Sequence, residues 1–391
     1  MLSIDLDAVR NDTPGCAAVA HLNNAGAALP PRMVVDDMID YLRLEEVLGG
    51  YETAEREARR LDRLYHAGAT LLGCQPGELA LTTNASEAWW RALSAVPLEP
   101  GDRVLTGQAE YVSNALGLIQ ARERGIDVDV VPDDDDGQID LDLLATAAED
   151  ERVKLIALTH VPTNSGLVNP AEEVGAIAKR TGCYFLLDAC QSVGQMSVDV
   201  NTLQCDFLSL TGRKFLRAPR GTGLLYVRAC ILDELRPPEF IDGHSASWNA
   251  ANGYVLDATA RRFELFESSP AAKSGLATAI DYALALGIDA IEARVTLLAR
   301  HLRSQLRSLP GVEVLDRGRR LCGIVTFTVK GHDPSDIRAA AAKAGVNVTV
   351  ATTSPWQSNG GTLRSTVRAS PHYYNTEAEL DRLCTVVAGL G

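Results

Sequence analysis

The chain has 391 residues, 46% of them hydrophobic and 23% charged, which is the composition of a globular protein with a sizeable core. Its formal net charge is −14 without a compensating basic block, which argues against partners such as nucleic acid or an anionic membrane. The first ten residues do not form a secretion signal, and the eight cysteines are scattered without a C-x-x-C pair. We therefore expect a cytoplasmic, reduced protein that has no membrane span and no structural metal.

The amino-terminal part of the chain is predicted to be a loop followed by helix. Residues 21–31 (HLNNAGAALPP) combine two asparagines, small residues and two prolines, which is typical of an extended loop. Helical periodicity then runs from Met33 to about Leu72, and Gly49 and Gly50 predict a break within it.

Residues 78–96 (ELALTTNASEAWWRALSAV) predict a short strand that enters a helix. Asn84 and Glu87 have the spacing of a capping box, so the helix should begin near Ala85. The N–H groups at that helix start and the Ser86 hydroxyl can bind a phosphate, although an unoccupied helix start has the same pattern.

Strands and helices alternate through the rest of the chain. Strands are predicted at 103–107, from Val153 into a polar loop, up to Asp188 and up to about Leu210, with a helix at 171–181. A helix from about Pro270 precedes further helical pattern over 290–309, strands near 312–315, 323–329 and 346–350, and a last helix capped by Thr376 and Glu379. Four acids at 133–136 predict a solvated turn rather than a metal site.

Asp188 and Lys214 follow two apolar strands, and the distance between them leaves room for one crossover between neighbouring strands. The carboxyl ends of such strands face the crevice where open α/β sheets bind ligands. An acid and a lysine placed there suit pyridoxal phosphate (PLP), because the lysine forms a Schiff base and the acid keeps the pyridine nitrogen protonated.

The segment SLTGRKFLRAPRGTGLLYV, which contains Lys214, resembles the lysine segment of class V (cysteine desulfurase-like) aminotransferases of PLP fold type I. It is most similar to the branch of isopenicillin N epimerase-like enzymes and cysteine S-conjugate C–S lyases. The resemblance covers nearly the whole chain. It implies an amino-terminal segment over the active site (1–30), a large domain with a mainly parallel seven-stranded sheet (31–270) and a smaller α/β domain (271–391). It also implies a homodimer.

The resemblance implies a cofactor role for each matching residue. Lys214 forms the Schiff base, Asp188 binds the pyridinium, and Gln191 binds the phenolic oxygen. Tyr111 stacks on the ring where cysteine desulfurases use histidine. The phosphate is held by Ala85, by Ser86 and, from the second subunit, by Ser269 or alternatively Ser268. Arg213 departs from the family's histidine before the lysine, and a guanidinium can anchor phosphate but cannot shuttle protons.

Substrate contacts are implied for a second set of residues. Arg368 matches the arginine that holds the substrate α-carboxylate, a planar anion that suits a bidentate guanidinium. Thr163 or Asn164 contacts the cofactor hydroxyl and the substrate carboxylate, and Asn23 or Asn24 reaches the substrate. His244 and Trp248 are candidates for the pocket wall, although a lone histidine in a loop is more often structural or solvated.

The implied set removes the α-proton of an amino acid to give a carbanion that the cofactor ring stabilises. Cysteine desulfurases carry a cysteine in the loop before the docking arginine, but residues 350–368 contain none, and Cys322 lies in an apolar strand. We therefore expect β-elimination from an S-substituted cysteine in secondary metabolism, as in lyases of lincosamide antibiotic biosynthesis. Epimerisation and transamination or another deamination are the alternatives. A non-enzymatic binding module would not need Lys214, Asp188 and Arg368 together.

Overall fold

The computed structural model describes residues 4–249, 252–354, 356–357 and 363–390. Its helices are α1 Leu6–Asn11, α2 Arg32–Leu48, α3 Gly50–Arg56, α4 Ala58–Leu72, α5 Ala85–Ala95, α6 Val112–Glu123, α7 Leu141–Ala147, α8 Ala171–Thr181, α9 Pro270–Leu286, α10 Ile288–Ser308, α11 Pro334–Lys343 and α12 Glu377–Ala388. Its strands are β1 Ala20–His21, β2 Leu79–Thr82, β3 Arg103–Gly107, β4 Asp127–Val131, β5 Val153–Thr159, β6 Tyr184–Asp188, β7 Phe207–Thr211, β8 Gly223–Val227, β9 Ala246–Trp248, β10 Tyr254–Leu256, β11 Val312–Val314, β12 Val325–Val329, β13 Val346–Asn347, β14 Thr349–Thr352 and β15 Ser365–Ala369.

Within the described residues the central sheet has seven strands in the order β2-β8-β7-β6-β5-β3-β4. The strands from β4 to β7 in this order are parallel, whereas β8 is antiparallel to both of its neighbours. The middle strands β5 (VKLIALT) and β6 (YFLLD) are almost continuously apolar, as expected where helices cover both faces of a parallel sheet. The predicted mainly parallel seven-stranded sheet is confirmed.

The carboxyl ends of β5, β6 and β7 lie side by side. Thr159 is in register with Asp188, and Asp188 is in register with Ser209. Gly194, with φ +92°, brings the loop after β6 against the backbone that follows Lys214, since a Cβ there would lie 2.5 Å from the Phe215 carbonyl carbon. The fold thus places the predicted acid and the predicted lysine at one edge of the sheet.

A smaller antiparallel sheet in the order β11-β12-β15-β14 is built from the described carboxy-terminal residues. It packs with α10, α11 and α12 around a separate apolar core. The short strand β1 pairs with β13, which ties the amino-terminal segment to this unit. Helix α9 packs on α2 and α4, and its Leu276 and Ile280 belong to the core under the central sheet. Among the described residues, no helix is both long enough and apolar enough to cross a bilayer.

Local predictions differ in outcome. The cap at Asn84 is confirmed, because its Oδ1 accepts from the Glu87 amide at 2.9 Å, and the capping box of α12 is confirmed as well. The long amino-terminal helix breaks at Gly49 as predicted, but it also breaks at Glu57, where ψ departs to 16°. The single strand predicted at 346–350 is wrong, because β13 pairs with β1 whereas β14 pairs with β15.

Candidate active site

One pocket lies beyond the carboxyl ends of the central strands. Its lining residues are Asn84, Ala85, Ser86, Tyr111, Asn114, Asp188, Cys190, Thr211, Arg213 and Lys214. Most of these were predicted from the sequence as cofactor residues, although they come from distant segments of the chain. The sheet topology is what brings these segments together.

Lys214 is buried in this pocket, with only 6% of the residue exposed. Its Nζ lies 3.2 Å from Cys190 Sγ and 5.8 Å from the centroid of the Tyr111 ring. The turn that carries it is closed by a hydrogen bond from the Arg217 amide to the Lys214 carbonyl. Arg217 has φ +62° and donates to the Leu29 carbonyl and the Tyr373 hydroxyl, so its buried guanidinium holds the turn in place.

The Asp188 carboxylate is also buried and is held on both oxygens. Oδ1 accepts from the Cys190 amide at 2.9 Å, and Oδ2 accepts from Asn114 Nδ2 at 2.8 Å. Burial raises the pKa of Asp188, and these bonds and the nearby Lys214 charge oppose the shift. The carboxylate is therefore fixed beside the lysine.

The amino terminus of α5 forms another wall of the pocket. The first amides of a helix have no partner within the helix, and here they adjoin the Ser86 and Thr211 side chains. Asn84 caps the helix through the Glu87 amide, while the Glu87 carboxylate accepts from the Thr83 amide. This end of the pocket can bind a phosphate.

Arg368 on β15 reaches across from the smaller sheet. Its Nη1 donates to the carbonyl and the hydroxyl of Thr163, both at 2.7 Å, and its Nη2 donates to Asn23 Oδ1 at 3.2 Å. Its Nε is buried and has no hydrogen-bond partner among the described residues. Burial and the nearby Arg213 lower the pKa of Arg368 to about 10. A buried cation with an unused donor is suited to an incoming carboxylate.

Gln191 connects this arginine site to the amino-terminal segment. Its Nε2 donates to Thr163 Oγ1 at 2.9 Å and to the Ala25 carbonyl at 3.1 Å. Its Oε1 is buried without a partner in the described structure. Arg213 also contacts this segment, because its guanidinium donates to the Gly26 carbonyl. The segment therefore lies against the residues that surround Lys214.

Several predicted site residues lie elsewhere in this chain. Asn164 donates to the Thr352 carbonyl and to Gln357, so Thr163 is the one that contacts Arg368. His244 Nε2 lies 3.0 Å from Glu264, whose hydrogen bond raises the pKa of the histidine. Ser269 caps α9. Among the alternatives, Asn24 is buried and bonded to Ser370 and Tyr374, and Trp248 is 89% exposed.

Three pocket residues were not predicted from the sequence, namely Asn114, Cys190 and Thr211. Cys190 lies two residues after Asp188, and this position next to a predicted site residue was the available signal. Thr211 had a similar signal, three residues before Lys214. Asn114 had none, because its contact with Asp188 spans 74 positions of sequence.

The pocket fits PLP part by part. Lys214 supplies the amine, the buried Asp188 carboxylate matches a protonated pyridine nitrogen, and the α5 terminus matches the phosphate. Tyr111 supplies an aromatic face beside the amine. The unpartnered Gln191 Oε1 and Arg368 Nε leave polar capacity for the cofactor and the substrate.

Comparisons with known proteins agree with this assignment. The sequence profile of the family described as Aminotransferase class-V matches residues 20–383. A probable cysteine desulfurase of Methanothermobacter thermautotrophicus is 30% identical over 406 residues, covering 100% of both chains. The apo cysteine desulfurase of Thermococcus onnurineus superposes with TM-score 0.91 at 28% identity, covering 100% of this chain and 99% of that one.

A third similar protein is the cystine C–S lyase C-DES, solved with its product cysteine persulfide. It has TM-score 0.86 and 21% identity and covers 96% of this chain and 99% of its own. Another C-DES structure carries glycine covalently linked to the PLP cofactor. At this identity the likeness shows a shared fold.

Proposed function

The chain belongs to the class V aminotransferase family and is a PLP-dependent enzyme, and we propose that it catalyses β-elimination from an S-substituted L-cysteine. The products would be a thiol, pyruvate and ammonia, with one water consumed. The observation that carries this proposal is the buried Lys214–Asp188 pair next to Arg368, whose Nε has no partner in the described structure. Arg213, which lines the Lys214 pocket, donates to the Gly26 carbonyl, and Arg368 donates to Asn23 of the same segment, so the lysine and arginine sites adjoin.

Each step of the proposed reaction has a residue of this chain to carry it out. Arg368 binds the substrate α-carboxylate and Thr163 orients the guanidinium, which fixes the Cα–H bond relative to the lysine. Lys214 Nζ removes the α-proton and can deliver a proton to the departing sulfur. The Asp188 carboxylate would stabilise a positive charge on the pyridine nitrogen. When bound, PLP supplies the electron sink for the charge left at Cα.

Desulfuration through a cysteine on the β14–β15 loop is disfavoured. Residues 350–368 contain no cysteine. The described part of this loop is tied down by polar contacts, since Ser354 Oγ donates to the Gln108 carbonyl at 2.8 Å. The thiol that would accept sulfur from substrate is therefore missing at that place.

The similarity to a cystine C–S lyase supports elimination as a reaction that this fold can catalyse. The resemblance of the Lys214 segment to lyases of secondary metabolism makes cysteine conjugates from such pathways the first substrates to screen.

A proton NMR time course with S-methyl-L-cysteine in D₂O tests the proposal. Pyruvate and methanethiol should appear in equal amounts. Intact substrate that has exchanged its α-proton for deuterium would overturn elimination and favour epimerisation, which chiral analysis would then identify. Formation of a 2-oxo acid that retains the sulfur would favour transamination.

Desulfuration of free cysteine is a second candidate, and Cys190 is the observation that favours it. Its thiol lies 3.2 Å from Lys214 Nζ, and relatives of this chain are named cysteine desulfurases. In that reaction L-cysteine and the Cys190 thiol would give L-alanine and a Cys190 persulfide. Burial raises the pKa of Cys190, which disfavours the thiolate that this step needs. Alanine from wild type and none from Cys190→Ser would establish desulfuration, and pyruvate from both proteins would exclude it.

We also propose that a second copy of the chain completes the site through Ser269. An apolar face of α2 exposes Val35, Ile39 and Leu42. Next to it, Tyr51 and Phe266 are exposed with their rings 6.2 Å apart, and Phe266 lies in the segment that leads to Ser269. Exposed apolar surface of this kind marks an interaction site, and a second copy is the partner that the family resemblance implies.

A further inference from the structure

A second buried carboxyl group lies behind Asp188. Glu110 directly precedes Tyr111 and is 4% exposed. Its Oε1 accepts from the Thr159 amide at 2.7 Å, and its Oε2 accepts from the Thr159 hydroxyl at 2.7 Å. Thr159 is the β5 residue in register with Asp188. Glu110 therefore holds the end of β5 that lies beside Asp188.

Asn114 links the two carboxyl groups. Its Nδ2 donates to Asp188 Oδ2 at 2.8 Å and to Glu110 Oε2 at 3.1 Å. An amide nitrogen carries two hydrogens, so each carboxylate receives one. The flipped amide would place its oxygen against both carboxylates, and the pair therefore determines which way Asn114 faces.

The Asp188 carboxylate depends on this arrangement for its orientation. Oδ1 is held by the Cys190 amide, so the Asn114 bond is the described side-chain contact that fixes Oδ2. Without an acceptor at Glu110, the second Asn114 hydrogen would keep only the long contact of 3.4 Å to Thr159 Oγ1, so the orientation of the amide would be less firmly fixed. The Glu110 carboxyl does not line the Lys214 pocket.

We propose that Glu110 is a positioning residue that, through Asn114, fixes the Asp188 carboxylate for the pyridine nitrogen of PLP. This inference rests on the cofactor site described above. In this role Glu110 does more than anchor the loop that carries Tyr111, because its effect reaches the cofactor through Asn114 and Asp188.

The test uses the PLP-loaded enzyme and the variant Glu110→Gln, which keeps the size of the side chain. At pH 8, where Glu110 is ionised, the dissociation constant of PLP should rise about tenfold, the ratio that corresponds to about 1.4 kcal/mol for weakened charge-assisted bonds. The visible absorbance band of the bound cofactor should also change in its pH profile, which loop anchoring alone would not alter. Glu379→Gln is the matched control, since Glu379 is about as buried, accepts from Asn375 Nδ2 at 2.8 Å and lies on α12, outside the Lys214 pocket.

A double-mutant cycle with Asn114→Ala gives the decisive outcome. If Glu110 acts through Asn114, the Glu110→Gln change has no added effect on PLP affinity in the Asn114→Ala background. Additive effects, or an unchanged spectrum in Glu110→Gln, would overturn the inference. Asp188→Asn separates this failure from failure of the site itself: a normal spectrum in Asp188→Asn would contradict the PLP assignment as well.

Discussion

Arg368 donates two hydrogen bonds of 2.7 Å to Thr163, one to its carbonyl oxygen and one to its hydroxyl. The contact joins β15 of the smaller sheet to the loop that follows β5 of the central sheet. It holds the guanidinium beside the amino-terminal segment that Arg213 of the Lys214 pocket also contacts, and Nε stays unpartnered among the described residues. The arginine is thus oriented before any substrate arrives, which lowers the entropic cost of binding a carboxylate.

Replacing Arg368 by lysine tests this role. Lysine keeps the charge but cannot form the planar fork, so kcat/KM for a cysteine conjugate should fall about 100-fold, as expected for loss of one strong charge-assisted contact. PLP affinity should not change. Arg364→Lys is the control, since Arg364 pairs with Glu313 on the surface. Loss of PLP from the Arg368 variant would instead indicate a structural role.

Because Glu110 is buried, we expect the stability of the cofactor-free protein to depend on pH. Burial, and to a smaller extent the neighbouring Asp188 charge, raises the pKa of Glu110 to about 7. The pKa of a glutamate in an unfolded chain is about 4.3. Between that pH and pH 7, the folded chain therefore binds one more proton than the unfolded chain. The stabilisation from this proton is therefore present at low pH and is lost as the pH rises through 7.

Chemical denaturation of wild type and Glu110→Gln between pH 5 and pH 8 measures this effect. The difference in free energy of unfolding should shift by about 3 kcal/mol in favour of the variant across that interval. The remaining groups titrate in both proteins, so the difference isolates Glu110. A difference that does not vary with pH would mean that Glu110 keeps an ordinary pKa in the folded state.

The sequence indicated the parts of the site that depend on local pattern. Apolar strand runs that end at Asp188 and before Lys214 predicted a shared sheet edge, and Asn84 predicted the helix start. Contacts made across the fold were not predictable in this way. Asn114 and Glu110 look like ordinary polar residues of a loop and helix until β5 and β6 are placed beside them. The contact of Thr163 with Arg368, and of Asn164 with Gln357 instead, likewise needed the folded structure.

Arg217 holds the amino-terminal segment against the rest of the protein. Its guanidinium donates to Thr13 Oγ1 at 2.5 Å and to the Leu29 carbonyl, and it lies 4.5 Å from the Tyr374 ring centroid. Arg217→Met should therefore lower the free energy of unfolding by about 2–4 kcal/mol and speed proteolysis within residues 1–30. The exposed Arg220, replaced in the same way, should have neither effect. Equal proteolysis of the two variants would contradict this role for Arg217.

Subunit mixing tests the proposed contribution of Ser269. Lys214→Ala and Ser269→Ala proteins should each have low activity. A mixed dimer would contain one site with an intact Lys214 and an intact partner Ser269, so mixing should restore activity to that site. If Ser269 acts in its own subunit or not at all, mixing will give no more than the sum of the two separate activities.

The most direct test of the account compares wild type, Lys214→Ala and Lys179→Ala after loading with PLP. Pyruvate release from S-methyl-L-cysteine and the visible absorbance band of lysine-bound cofactor are followed together. We expect both signals in wild type and in the Lys179 control, and neither in Lys214→Ala. Normal pyruvate release by Lys214→Ala would contradict the assignment of Lys214 and of the pocket built around it.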